Sequence, residues 1–384
     1  MNEREAMAVL VAAQGIGYAK REAALKEAGS ALELLADPYA YRALLGETGV
    51  SALRRSLRGA ERMLDRLNEG GVHLVIRGEA GYPARLMQTA KPPHLLFCLG
   101  GADLDDPLSL AVVGTRRASA YGLRHTRALA KELAAAGMCI VSGLALGIDA
   151  SAHEGALDAG GRTIAVLGSA LDKLYPQENR RLMERILDGG GSVISEYPPG
   201  MGPTRYSFLQ RNRIIAGMSI GVLVTEGARR SGALSTAHHA LDEGREVFAL
   251  PGDIDRVSAQ LPNQLIAEGA TPVLSARDIL CRVVIERDAH PAPGRMRAKE
   301  QRTENTAAYA AEEQHARPAK LAKEEPKLGR TERIICTLLE SETLDFDQLC
   351  EKTGELPDDL SAVLMMMELD GLIESLPGLL YRRV

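Results

Sequence analysis

No apolar run in this 384-residue chain approaches the roughly 18 residues that a membrane-spanning helix needs, so no span is expected. The opening segment MNEREAMAVLVAAQG is charged on the wrong side, and too short in its apolar part, for a secretory signal. The five cysteines (Cys98, Cys139, Cys281, Cys336, Cys350) are scattered, which argues against a disulfide framework and against a pair at metal-ligand spacing. A reduced cytoplasmic setting, with no metal, is expected. No G-x-x-x-x-G-K-[ST] occurs, which disfavours ATP hydrolysis of the P-loop kind. No G-x-G-x-x-G opens the first strand–helix unit, which disfavours a dinucleotide. No nucleophile–base pair or paired carboxylates stand out, so no catalytic residue and no cofactor are expected. Binding is the better reading. The net charge of −5 exerts no global pull on nucleic acid, so cations for a polyanion must be gathered locally.

What is present divides the chain. Residues 1–70 read as short helices broken at QGIGYAK and at Pro38. Within them, GIG at Gly15–Gly17 resembles one helix-hairpin-helix turn, in which glycines let amides approach a phosphate; a plain helical turn is the alternative. Residues 71–284 carry the β-branched-rich runs LSLAVVG, MCIVSG, RTIAVLG, GSVISEY, SIGVLVTEG and REVFALPG, separated by segments of helical period. Strands without polar alternation, joined by helices, predict an α/β fold with a doubly wound parallel sheet buried on both faces. Such sheets bind ligands at the carboxyl ends of their strands. Residues 285–330 mix both charges with Ala and Pro, hold few large apolar residues, and are expected to form a flexible linker. Residues 331–384 regain periodicity, with three helical segments and a hairpin around Pro377-Gly378, the pattern of a winged helix.

The glycines cluster at the predicted strand ends. In LAVVGTRRASAYG, Gly114 permits a tight turn into Thr115, and the following helix would aim free N–H groups at the same point. Arg116 adds a fork of donors matched to phosphate, and Ser119 a hydroxyl or an N-cap. SGLALGIDASAH repeats the layout at Gly143, Gly147 and Asp149, where Asp149 could cap the next helix and His153 reads as a packing histidine. LGSALDKLYPQEN and TEGARRSGALSTAHHA end further strands, the latter supplying Arg229, Arg230, Ser231 and Gly232 ahead of a helix. The densest basic stretch, PTRYSFLQRNRIIAG, interleaves Arg205, Arg211, Asn212 and Arg213 with Tyr206 and Phe208. Cations with aromatics suit a single nucleic-acid strand, whose phosphates need charge and whose unstacked bases need flat partners. The alternative is that Phe208 is core and the arginines pair with acids elsewhere.

In order, AVVGTRRASAYG, GLALGIDASAHEGAL, TIAVLGSALDKLYPQEN, SEYPPG, RNRIIAGMS, SGALSTAHHAL, GREVFALPG and NQLIAEGA resemble the DprA (Smf, DNA-processing protein A) family. The blocks lie between residues 80 and 280, and the leading helices and closing segment also resemble that family's helical (SAM or helix-hairpin-helix-like) and winged-helix domains. The resemblance implies a Rossmann-like domain that binds single-stranded DNA, protects incoming strands, loads the RecA recombinase in natural transformation, and dimerises. Carried over by position, the DNA pocket would hold Gly114, Arg116, Ser119, Ser169, Ala170, Arg205, Tyr206, Phe208, Arg211, Asn212 and Arg213, and the strand-end glycine loops add Thr115, Gly143, Ser231 and Gly232 to the expected site. This sequence departs from the family pattern at four places: Ala170 and Leu261 stand for glycine, Gln177 for a basic residue, and Gly227 for alanine.

The presumed recognition helix, Pro357–Asp370, carries Asp358, Asp359, Glu368 and Asp370 and no Lys or Arg, so it should repel duplex DNA. A protein partner, or docking on its own chain, is expected there. The rival reading is an enzyme like the nucleotide phosphoribohydrolases, whose PGGxGT loop is here replaced by SGALST.

Overall fold

The computed structural model describes residues 1–101, 103–289, 329–340, 343–355, 360, 363–364, 366–368, 372–376 and 380–383. Its centre is a nine-stranded sheet of order β1-β2-β6-β5-β4-β3-β7-β8-β9. The strands are β1 (His73–Ile76), β2 (Leu95–Gly100), β3 (Ser109–Val113), β4 (Cys139–Ser142), β5 (Thr163–Leu167), β6 (Ser192–Ser195), β7 (Gly221–Val224), β8 (Glu246–Ala249) and β9 (Thr271–Pro272). The six apolar runs singled out in the sequence are β3 to β8, and all pair in parallel. Along β3, Ala111 and Val113 enter one core while Leu110 and Val112 enter the core on the opposite face. Both faces are apolar, which is why no polar alternation shows in the sequence.

At one edge the expectation of a parallel sheet is corrected. Strand β2 runs antiparallel to β6, with Phe97 opposite Ser195, and β1 runs antiparallel to β2, with His73 opposite Cys98. The short helix α6 (Ala84–Met87) lies between β1 and β2 in the chain.

Helices α7 (Ala120–Ala135), α8 (Ile148–Asp158), α9 (Arg180–Asp188), α10 (Arg205–Met218), α11 (Gly232–Asp242), α12 (Gln260–Ala267) and α13 (Ala276–Ala289) cover the sheet. From β3 the chain winds out through β4, β5 and β6, then crosses back to β7 on the other side of β3. The crevice beyond the carboxyl ends of β3 and β7 is therefore the topological switch point. Helix α13 runs to Ala289, so the segment expected as linker from 285 begins inside a helix; residues 290–328 lie outside the described residues.

Residues before β1 form helices α1 (Glu3–Ala12), α2 (Tyr18–Ala28), α3 (Ala31–Ala36), α4 (Arg42–Arg58) and α5 (Ala60–Glu69) around Leu10, Leu34, Leu45 and Leu53. Asn2 and Glu5 close a capping box on α1. The GIG segment joins α1 to α2, and its Ile16 is buried in this small core. Arg77, just after β1, ties the bundle to the sheet by donating to Glu22 and to the Tyr18 hydroxyl.

The last unit holds α14 (Arg330–Leu338), α15 (Phe346–Thr353) and a three-stranded sheet of β10 (Leu344–Asp345), β12 (Leu380–Arg383) and β11 (Ile373–Leu376). Ile335, Leu349, Leu360, Leu364 and Ile373 pack as its core. The hairpin is present, with Glu374 opposite Arg382, while its turn at Pro377-Gly378 lies outside the described residues. Of the expected recognition helix, residues 360, 363–364 and 366–368 are described and helical; Asp358, Asp359 and Asp370 are not among them.

Candidate functional site

The helix that follows the first glycine loop already has its anion, and the anion is internal. Ser119 donates its N–H and its hydroxyl to the Glu226 carboxylate at 2.8 and 2.6 Å, and Ser258 donates a third bond at 3.1 Å. The Thr115 amide donates to the Glu226 carbonyl at 2.8 Å. Gly122, in the first turn of α7, is required by this arrangement, because a Cβ there would collide with the Glu226 carboxylate. The positive end of α7 thus serves a buried side chain from the loop after β7. Ser119 is the N-cap of α7, one of its two expected roles, accepting from the Gly122 amide, while its hydroxyl donates to Glu226 and closes the switch point from within.

The second loop is closed in the same way. The amides of Gly143 and Ala145 both donate to the Asp149 carboxylate, at 3.1 and 3.4 Å. Asp149 does not cap α8, whose N-cap is Gly147. Gly143 carries no side chain because the Arg211 guanidinium lies against its Cα. Burial lowers the pKa of Arg211, opposed chiefly by Asp149. Burial raises the Asp149 carboxyl, against the nearby Arg211 and its two amide donors. Arg211 donates to the Val166 carbonyl at 2.6 Å, and its Nε has no partner. His153 is a packing residue, fully buried with Nδ1 2.7 Å from the Thr163 hydroxyl. That hydroxyl donates its proton to the Ile140 carbonyl, so Nδ1–H must be the donor to Thr163. Burial pushes the pKa of His153 down to about 3.

Beside these filled loops lies an open cleft of about 730 Å³. Of the expected site residues, Gly114, Thr115, Arg116, Arg205, Phe208, Arg211, Asn212, Ser231 and Gly232 line it. Helix α10 supplies its wall: Arg205, Phe208, Leu209 and Asn212 recur on one face at helical spacing. The N-cap Thr204 and Ser207 form a capping box that fixes where Arg205 emerges. The N-terminus of α11 also opens here. Its N-cap Ser231 makes no capping hydrogen bond, and the Ser231 hydroxyl has no partner, so amides remain for an outside anion. Among the described residues lining the cleft, Arg116, Arg117, Arg205 and Arg211 are basic and Asp149 alone is acidic.

Phe208 is the centre of the cleft. The Arg116 guanidinium lies over its ring at 4.9 Å, Arg211 at 6.0 Å, and the Tyr175 ring at 5.6 Å. Tyr175, which the sequence reading missed, is 45% exposed and lines the same cleft. An aromatic in a strand-end loop rich in polar residues was the available signal. Gly143 lies beside a small adjoining chamber with Arg116, Tyr175 and Phe208.

Four other expected contacts fall elsewhere. Arg213 is turned away from the cleft, bonded to both oxygens of Glu196 and to the Lys91 carbonyl. Ser169 is buried, and its carbonyl accepts from the Ser195 hydroxyl. Ala170 is fully buried, with its amide donating to the Met201 carbonyl, so it crowds no phosphate. Tyr206 is 40% exposed but does not line the cleft. The remaining departures are accommodated inside the fold. Gln177 donates to the Leu174 carbonyl and accepts from Arg180. Gly227 and Leu261 form a matched pair: a Cβ on Gly227 would lie 2.8 Å from Leu261 Cδ2, so the small residue makes room for the large one. Among the described residues no cluster of His, Cys, Asp and Glu could hold a metal, and no helix is long and apolar enough to cross a membrane.

A doubly wound α/β protein with a cationic, aromatic-centred cleft at its strand ends, flanked by a helical bundle and a winged helix, is the class that fold and site define. The chain belongs to the DprA family: the family model described as DNA recombination-mediator protein A matches residues 73–284, and that of the DprA winged helix domain matches residues 318–378. It is 43% identical over 227 residues to protein Smf of Escherichia coli, covering 59% of this chain and 60% of that protein. To protein Smf of Synechocystis it is 37% identical over 315 residues, covering 79% of this chain and 78% of the relative. Among solved structures, DNA processing protein A of Streptococcus pneumoniae is similar with a TM-score of 0.61 at 34% identity, over 71% of this chain and 95% of that one. DNA processing protein A of Helicobacter pylori, a protein described for its unique single-stranded DNA binding mode, is similar with a TM-score of 0.50 at 32% identity, over 56% and 97%.

Proposed function

We propose that this protein binds single-stranded DNA without regard to sequence, protects incoming strands, and loads the RecA recombinase onto them during natural transformation and recombination. The observation that carries the reading is one cleft in which Arg116, Arg117 and Arg205 stand around the Phe208–Tyr175 pair. Phosphates would take the cations and the α11 N-terminus, and bases would stack on the exposed aromatic. The DNA-contacting set is then Gly114, Thr115, Arg116, Arg205, Phe208, Arg211, Asn212, Ser231 and Gly232, with Tyr175 and Arg117 added. The recombination-mediator family and its relatives named for DNA processing support the same role. On this reading the protein works in the cytoplasm as a homodimer through its Rossmann-like domain, and it is not an enzyme. The carboxylates of Glu226 and Asp149, in the loops after β7 and β4, are each engaged by hydrogen bonds, which favours holding a ligand over breaking a bond in it.

Fluorescence anisotropy of a labelled single strand and its duplex, across a salt series, tests the proposal. Tight, salt-sensitive preference for the single strand is expected. Equal affinity for duplex, or release of base from nucleoside monophosphates, would overturn it in favour of a duplex regulator or a phosphoribohydrolase-like enzyme.

A further inference from the structure

One described residue lining the cleft comes from outside the α/β unit. Met366, half-buried, lines it together with Arg116, Arg205 and Phe208. Its neighbour Met367 is buried in the winged helix's own core, so this helical segment sends one methionine inward and presents the other to the cleft. Methionine is flexible and polarizable, suited to a contact that forms and releases.

Charge gives an independent argument. From Gly354 to Tyr381 the sequence has no Lys or Arg and carries Glu355, Asp358, Asp359, Glu368, Asp370 and Glu374. The described residues lining the cleft include four arginines and one acid. A helix that reads a duplex needs the opposite sign. A net-negative unit carries the same sign of charge as the DNA that would fill a cationic cleft, and the two units share one chain, so their association is intramolecular.

We propose that the acidic winged helix is a tethered competitor for single-stranded DNA, seated on the cleft through Met366 and displaced when a strand enters. This regulation rests on the DNA-binding reading above. The apparent affinity is the intrinsic affinity reduced by the fraction of molecules that stand open, so short or sparse strands are refused and only a strand that engages several cations displaces the unit.

The test uses the full chain in three forms: wild type, Met366→Ser and Met366→Lys. Met366 lies outside the winged helix's core cluster, so neither substitution removes a core residue. Small-angle scattering at low salt without DNA should show a larger radius of gyration for Met366→Lys, whose cation faces the arginines, and wild type should expand when oligo-dT or high salt is added. At low salt Met366→Ser should bind oligo-dT about 3- to 10-fold more tightly than wild type, and the gap should narrow as salt opens the wild type. An identical radius for Met366→Lys and wild type at low salt would overturn the seat. Weaker binding by Met366→Ser would make the winged helix part of the DNA grip and overturn the competition. If no form binds oligo-dT while Met366→Lys still expands, the DNA-binding reading fails and the competition with it, but the seat stands.

Discussion

Arg116→Ala removes one of the three exposed arginines that line the cleft, while leaving Arg117, Arg205 and the buried Arg211 in place. Arg211 is excluded from the count because it already bonds to the Val166 carbonyl. Each phosphate neutralised on a single strand contributes about −0.7 to the slope of log affinity against log salt, so three contacts give about −2.1 and two about −1.4. Raising salt from about 50 to about 200 mM should then weaken wild type about 18-fold and the variant about 7-fold. The variant also loses the stack of the guanidinium on Phe208, seen at 4.9 Å, worth about 0.5–1 kcal/mol at an exposed site. Anisotropy titrations of both proteins on one oligo-dT, at four or more salt concentrations, give the slopes directly. A variant that binds more weakly with the wild-type slope would show that Arg116 serves to hold Phe208 and touches no phosphate. A variant unchanged in both slope and affinity would remove this loop from the site.

Tyr175→Ala should weaken single-strand binding by about 1–3 kcal/mol with the slope unchanged, because stacking carries no counterion term; a changed slope would refute the stacking role. Gly227→Ala should cost about 1–3 kcal/mol by overpacking against Leu261 and the Ser231 hydroxyl. In a urea-denaturation double-mutant cycle with Leu261→Ala, the pair should deviate from additivity by at least about 0.5 kcal/mol, and strict additivity would show that the two positions are not matched. His153 resists protonation in the fold, at a pKa of about 3, while the unfolded chain takes up the proton near 6.5. The unfolded state therefore binds more protons between those values, and stability falls as pH drops from 6.5, by about 2 kcal/mol down to pH 5 through this residue alone. His153→Gln should be less stable at pH 7 yet lose less on acidification; parallel pH profiles would refute the assignment.

The sheet was legible where its physics is simple. Strands β3 to β8 show in the sequence because burial on both faces leaves unbroken apolar runs. Strands β1 and β2 were missed: β1 reads HLVI with only Ile76 fully buried, and β2 follows a proline-rich stretch. The two-residue β9 offers too little to read. At the site, the cation–aromatic stretch of α10 was visible because Arg205, Phe208 and Asn212 are close in sequence. What hid the fate of Ser119 is distance along the chain: its partner Glu226 lies 107 residues away, and no local pattern distinguishes an amide awaiting phosphate from one holding a carboxylate. Arg213 was misassigned for the same reason, since Glu196 comes from the end of a different strand.

The internal carboxylate at the switch point bears on what this protein ignores. A sheet of this topology ordinarily offers the helix end between its diverging strands to a single phosphate group, and free nucleotides are abundant ligands for such a seat. Here Glu226 sits in it, bonded through Ser119 and Ser258. A mononucleotide finds its usual berth taken and meets only the broad cleft alongside, where one phosphate can touch few of the arginines at once. On the proposed reading a polymer reaches the three exposed arginines, Arg116, Arg117 and Arg205, together. On the proposed reading, a preference for a strand over its monomers follows from this arrangement, and the nucleotide pool would find no seat at the switch point.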